Sequence, residues 1–174
     1  MEVSKKHREE IKSILPTAKQ QNFVDNAIES ALKRIRKEKV RGDIEIYTDG
    51  GSRGNPGPSG GGFAIYKRGE LIEKGSEYYG IKTNNQAEYL ALRSALREAY
   101  KPLAEEPIQC FLDSKLVVEQ MNGNFKVKSP NVKPLFEEIR RIADQFKSIS
   151  FAYIPRAQNS VADRLANEAM DRKK

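Results

Sequence analysis

Four acidic residues stand at positions where a solvent-facing carboxylate has no simple reason to be. Asp49 closes the alternating run after Asp43 and precedes Gly50-Gly51-Ser52. Asp113 follows the apolar run Ile108–Leu112. Glu88 follows Thr83-Asn84-Asn85-Gln86-Ala87, and Asp163 ends Asn159-Ser160-Val161-Ala162-Asp163. Each has an ordinary alternative. Asp before two glycines forms turns, and Asp113 can cap the helix after it. Asn85-x-x-Glu88 and Ser160-x-x-Asp163 both have capping-box spacing. Taken together they are harder to explain as turns and caps. Asp49 and Asp113 end apolar strands, where sites in open α/β sheets gather. Glu88 is in helical step with Leu92, Ala95 and Ala99 and so belongs to a face that packs on the sheet. A carboxylate there is costly unless it is paired or binds a metal, and the helix N-terminus favours its ionised form. If the four converge, their mutual repulsion calls for divalent cations. Hard oxygen donors suit Mg²⁺ or Mn²⁺. Zinc is disfavoured, because the chain has one His, His7, and one Cys, Cys110.

The elements that must hold these residues follow from the patterning. Ile44 and Ile46 alternate with Glu45 and Tyr47 as in a strand. The stretch Gly50–Gly62, rich in glycine with two prolines, reads as a loop. Strands are predicted at 61–68 and 70–79, joined by a hairpin turn at Arg68-Gly69. A helix over 84–100 is followed by a strand at Ile108–Leu112, helices at 114–122 and 131–146, a strand at Ile149–Ile154 and a last helix at 160–172. Antiparallel strands followed by alternating helix and strand predict a mixed α/β sheet.

Residues 1–42 differ from the rest. Two helices, 3–15 and 17–40, flank Pro16, and the second carries Val24, Ile28, Ala31, Leu32 and Ile35 at helical spacing. This segment holds a balance of +5 out of a net +7. The expected organisation is a basic helical extension over 1–42 and one domain over 43–174. The extension reads as docked helices, a nucleic-acid clamp or a dimer contact. Docking is favoured because the apolar stripe needs cover, and a monomer is the favoured assembly. A basic segment also fits a polyanionic partner. No run approaches the ~18 apolar residues of a membrane span, so no membrane partner is expected. The polar N-terminus is no secretory signal, and a lone cysteine in an apolar run makes no internal disulfide. The expected location is intracellular, in the cytoplasm.

The motifs, in order, resemble those of type 1 ribonuclease H over about residues 43–172. Tyr47 to Gly60 is similar to the first motif and Thr83 to Glu88 to the second. Asp113 to Val118 is similar to the third and Tyr153 to Asp163 to the last. The resemblance implies a five-stranded mixed sheet flanked by helices. It implies Asp49, Glu88, Asp113 and Asp163 as catalytic ligands of two Mg²⁺ ions, with Mn²⁺ as a substitute. It also implies endonucleolytic cleavage of the RNA strand of an RNA–DNA hybrid, leaving 3′-hydroxyl and 5′-phosphate ends. Asn55, Asn84 and Asn85 are the implied readers of the 2′-hydroxyl. Gly50, Gly51 and Ser52 belong to the same substrate-binding stretch, whose glycines would admit close backbone approach. Thr83 matches a position that grips a DNA phosphate, and Asn131 is a looser match to its companion.

Two features depart from the family pattern. Arg156 occupies the loop where many members have a histidine. It does not deprotonate near neutral pH, so it can act only electrostatically. The stretch Asn122–Pro134 is short and the chain has no Trp, where some members carry a basic, tryptophan-rich insertion. Both keep double-stranded RNA open as a further substrate. Transposases and integrases share the fold but not the Asn84-Asn85 pair with the glycine-rich stretch. A non-catalytic binding module would be expected to lack one of the carboxylates.

Overall fold

The structure, a computed structural model, describes residues 25–30 and 43–172. The chain divides into two units, Met1–Arg41 and Gly42–Lys174. In the first, residues 25–30 are helical. The remaining length expected for the helices at 3–15 and 17–40, and the docking, clamp and dimer readings of that segment, lie outside the described residues.

The second unit runs β1 (Ile44–Ser52), β2 (Gly57–Lys67), β3 (Glu70–Lys82), α1 (Asn84–Leu103), β4 (Pro107–Leu112), α2 (Lys115–Met121), α3 (Lys133–Ala143), β5 (Ser148–Tyr153), a 3₁₀ turn (Arg156–Gln158) and α4 (Ser160–Arg172). The five strands form one mixed sheet in the order β3-β2-β1-β4-β5. β1–β2 and β2–β3 are antiparallel, whereas β1–β4 and β4–β5 are parallel. Arg68 and Gly69 both take positive φ. That twist matches the flanking strands, which is why a two-residue hairpin closes there. The core joins Ile44, Ile46, Ile65, Ile108, Cys110 and Leu112 of the sheet to Tyr89, Leu92, Leu96 and Ala99 of α1. Burial of Cys110 pushes its thiol well above the usual range. Among the described residues, no helix is long and apolar enough to cross a membrane.

The expected loop Gly50–Gly62 is largely strand. Gly50, Gly51 and Ser52 belong to β1 and pair with Gly61, Gly60 and Ser59 of β2. The connection is only residues 53–56. The glycines of β2 are required by helix packing rather than by a flexible loop. A Cβ on Gly60 would lie 2.7 Å from the Ala169 Cβ, and one on Gly62 would lie 2.5 Å from the Ala162 carbonyl oxygen. Both contacts are with α4, so the glycines let that helix settle onto the sheet.

Candidate active site

The sheet register brings two acids to one level. β1 and β4 run parallel with Thr48 opposite Leu112, so the next residue on each strand is Asp49 and Asp113. On its other side Asp49 pairs with Gly62. It is therefore a strand residue and not a turn former.

Glu88 arrives from α1. The capping box of this helix is Thr83-x-x-Gln86: the Thr83 hydroxyl accepts from the Gln86 N–H at 3.3 Å, and the Gln86 side chain accepts from the Thr83 N–H at 3.0 Å. The Asn85-x-x-Glu88 alternative is thereby overturned, and the Glu88 carboxylate is not spent on the cap. Gly50 brings strand and helix together. A Cβ there would sit 2.2 Å from the Ala87 carbonyl carbon, closer than any side chain tolerates. The Gly50 N–H donates to the Glu88 carboxylate.

Asp113 is not a cap either. The N-cap of α2 is Ser114, which makes no side-chain cap bond. Asp163 lies in the first turn of α4. Its carboxylate accepts from the Arg156 guanidinium and from the Asn167 amide at 3.4 Å, which is not the pattern of a capping box.

Asp49, Glu88 and Asp113 each offer a carboxylate oxygen, and these atoms lie within 4.8 Å of one another. Asp163 stands outside this trio, yet its charge reaches Asp49. Asp49 and Glu88 are buried, and Asp113 and Asp163 are half-buried. Burial first, then the charges of Asp113 and Asp163, push the Asp49 carboxyl from 3.8 up to about 7. Burial, then Asp49 and Asp113, also hold Glu88 well above the carboxylate range, with Gly50 and Arg156 opposing. One Glu88 oxygen, Oε2, is buried with no hydrogen-bond partner among the described residues. Such an atom is expensive in a purely structural site. The trio of oxygen donors and this orphaned atom fit a hard divalent cation, whose charge would reverse the upward shifts.

The other expected site residues fall in varied places. The Ser52 Oγ reaches the Lys82 carbonyl at 2.8 Å and the Gly57 carbonyl at 3.2 Å, tying the β1–β2 turn to the end of β3. Gly51 is half-buried, and a Cβ there would meet Met170 at 3.2 Å. The Asn55 side-chain oxygen accepts the Asn84 N–H at 3.1 Å, so the turn and the start of α1 meet through two of the three expected Asn. Asn85 is half-buried in the same first turn. The Thr83 hydroxyl is engaged in the cap, and Asn131 is exposed ahead of Val132, the N-cap of α3. Exposed Arg156 is tied to Asp163.

Sequence reading missed Asn159. It is 1% exposed, and its amide donates to the Thr48 carbonyl at 2.8 Å and to Asp113 Oδ1 at 3.1 Å. Its only signal in the sequence is an Asn ahead of a helix, which reads as a cap.

With this geometry in view, comparison places the domain among known proteins. Residues 47–169 match the family model described as Reverse transcriptase-like. The Bifunctional protein Rv2228c of Mycobacterium tuberculosis is 45% identical over 130 residues, covering 74% of this chain and 35% of that protein. The chain thus spans about a third of the length of such curated relatives. The Ribonuclease H of Idiomarina loihiensis is 32% identical over 144 residues, covering 74% of this chain and 88% of that protein. The crystal structure of LC11-RNase H1 in complex with RNA/DNA hybrid superposes with a TM-score of 0.71 at 42% identity, covering 74% of this chain and 97% of that one.

Proposed function

The chain belongs to the ribonuclease H family, and from that premise we propose that residues 43–174 cleave the RNA strand of RNA–DNA hybrids. The observation that carries this reading is the trio Asp49, Glu88 and Asp113, with oxygens within 4.8 Å of one another.

In this reading Asp49, Glu88, Asp113 and Asp163 hold two Mg²⁺ ions, with Mn²⁺ as a substitute. When bound, the ions supply the Lewis acidity that activates a water for in-line attack on phosphorus and stabilises the departing 3′ oxygen. The P–O3′ bond breaks, which leaves a 3′-hydroxyl and a 5′-phosphate. The protein fixes its donors in advance. The β1–β4 register sets Asp49 beside Asp113, the close approach at Gly50 admits Glu88, and the Gly50 N–H orients its carboxylate. Arg156, in the place where many relatives carry histidine, keeps its charge at all working pH values. It steadies Asp163 and opposes charge that builds on the scissile phosphate. Asn55, Asn84 and Asn85 read the 2′-hydroxyl, with Asn55 and Asn84 already joined. Gly50, Gly51 and Ser52 shape the approach of the RNA strand, and Thr83 and Asn131 meet the DNA backbone.

Side-by-side incubation of labelled hybrid, duplex RNA and duplex DNA with Mg²⁺, Mn²⁺ or EDTA tests the substrate class. Metal-dependent cuts in the RNA of the hybrid are expected. Cutting of duplex DNA at an equal rate would contradict it. Additional cuts in duplex RNA would fit the Arg156 loop and the short 122–132 connection, which lacks the basic insertion of other relatives.

A further inference from the structure

Asn159 touches more of the site than any cap residue needs to. Its amide hydrogens go to the Thr48 carbonyl, one residue before Asp49, and to the Asp113 carboxylate. Its own carbonyl accepts the Asp163 N–H at 3.0 Å. The strand end that carries Asp49, the side chain of Asp113 and the first turn that carries Asp163 therefore meet at one buried residue.

The polarity of these bonds separates Asn159 from an ordinary cap. A capping Asn uses its side-chain oxygen to accept from the following backbone N–H groups. Here the side-chain oxygen is buried with no hydrogen-bond partner among the described residues. The NH₂ group does the work, and both of its hydrogens are used. The choice of a neutral donor also matters. Lys or Arg at this point would neutralise Asp113 and compete with a cation, whereas Asp would add a further negative charge.

On the reading of the site given above, we propose that Asn159 is a positioning residue for the cation centre. It fixes the Asp113 carboxylate, and the end of β1 beside it, in the cation-receiving arrangement before any cation arrives. Partners that orient metal ligands from behind are worth 10–100-fold in metal affinity or activity.

The test uses the full chain and two variants. Asn159→Ala removes the donor. Tyr89→Phe removes a buried hydroxyl that donates to Gln120 at 2.7 Å and serves as a control for lost stability. Mn²⁺ uptake by the metal-free proteins is measured by calorimetry, and hybrid cleavage is followed across Mg²⁺ concentrations. Asn159→Ala is expected to bind Mn²⁺ about 10–100-fold more weakly and to lose kcat to a similar degree. KM for hybrid should stay within about twofold of the parent, because the ligand set rather than hybrid contact is disturbed. Tyr89→Phe should keep parental Mn²⁺ affinity. Parental Mn²⁺ affinity in Asn159→Ala, or an equal loss in Tyr89→Phe, overturns the proposal. If Asn159→Ala does not fold, the parent decides. The side-chain NH₂ resonances of Asn159 should shift during Mg²⁺ titration with the midpoint of the binding heat, and stationary resonances through saturation overturn the role. A parent that takes up no Mn²⁺ defeats the cation reading as well. A parent that binds while Asn159→Ala binds equally defeats only the positioning role.

Discussion

Glu138, on the seam between α1 and α3, meets two guanidinium groups: Arg97 at 2.5 Å and Arg93 at 3.7 Å. Asp49, Glu88 and Asp113 bring carboxylate oxygens within 4.8 Å of one another, and Arg156, whose charge reaches Asp49 and Glu88, is engaged by Asp163. The two regions handle acids in opposite ways. At the seam a half-buried carboxylate has more positive than negative neighbours, and the arrangement contributes modestly to stability. At the ends of β1 and β4 three carboxylates of one sign are gathered, two of them buried, and burial and mutual repulsion raise the pKa of those two. A fold selected for stability alone would not keep that cluster. Its persistence is understandable if the missing positive charge arrives with the cofactor, so that the metal-free domain is held below its attainable stability.

The widest separation between the regions should come from Glu88→Gln. Hybrid cleavage should fall by about 10³-fold or more, the scale of several kcal/mol of lost metal-assisted stabilisation. The melting temperature of the metal-free protein should rise at the same time, because the fold no longer has to bury this carboxyl, as a charge or with a proton held against its ordinary pKa. Parallel loss of activity and stability would contradict the contrast drawn here.

A pH series sharpens the same point. The Asp49 carboxyl is raised from 3.8 to about 7 in the fold, so between these values the folded state holds a proton that the unfolded state has released. Its contribution to stability is complete below about pH 4 and is lost as pH rises through about 7. Melting curves in EDTA should therefore show Asp49 destabilising the fold progressively over that window, and Asp49→Asn should flatten the decline. Excess Mg²⁺ should raise the melting temperature of the parent more at pH 8 than at pH 5, and an equal rise at both would count against the cluster as the binding site.

Arg156→Ala should reduce turnover by about 10–100-fold, typical of a lost electrostatic contact near the reacting phosphate. Mn²⁺ binding should persist, since the trio does not include this residue. Unchanged turnover would remove Arg156 from the mechanism. The smallest effect belongs to the seam. Glu138→Gln should lower the melting temperature by about 2–4 °C, in line with roughly 1 kcal/mol for such a pair, and leave cleavage at the parental rate.

The gathering of Asp49, Glu88 and Asp113 was legible because each lies against a strong local pattern: an apolar strand before Asp49 and Asp113, and a helical stripe that includes Glu88; no such pattern marks Asp163. The mixed α/β sheet was legible for the same reason, and its five-stranded form followed from the family resemblance. The stretch 50–62 was not, because glycine carries no hydrophobic alternation and the need for it lies in distant backbone, α1 over Gly50 and α4 over Gly60 and Gly62. The capping box was displaced by two residues because Thr83-x-x-Gln86 and Asn85-x-x-Glu88 satisfy the same spacing rule, and only the backbone decides between them. Asn159 was hidden because its partners, Thr48 and Asp113, are remote in sequence. A buried donor of this kind looks like a cap until the sheet is assembled.

The most direct test of the central claim is cleavage of an end-labelled RNA–DNA hybrid by the parent chain and by Asp49→Asn, each with Mg²⁺ and with EDTA, under conditions where both bind hybrid. The account predicts cuts in the RNA strand by the parent with Mg²⁺ and none in the other three reactions. Equal cutting by Asp49→Asn, or cutting by the parent in EDTA, would contradict a catalytic cation centre at the ends of β1 and β4.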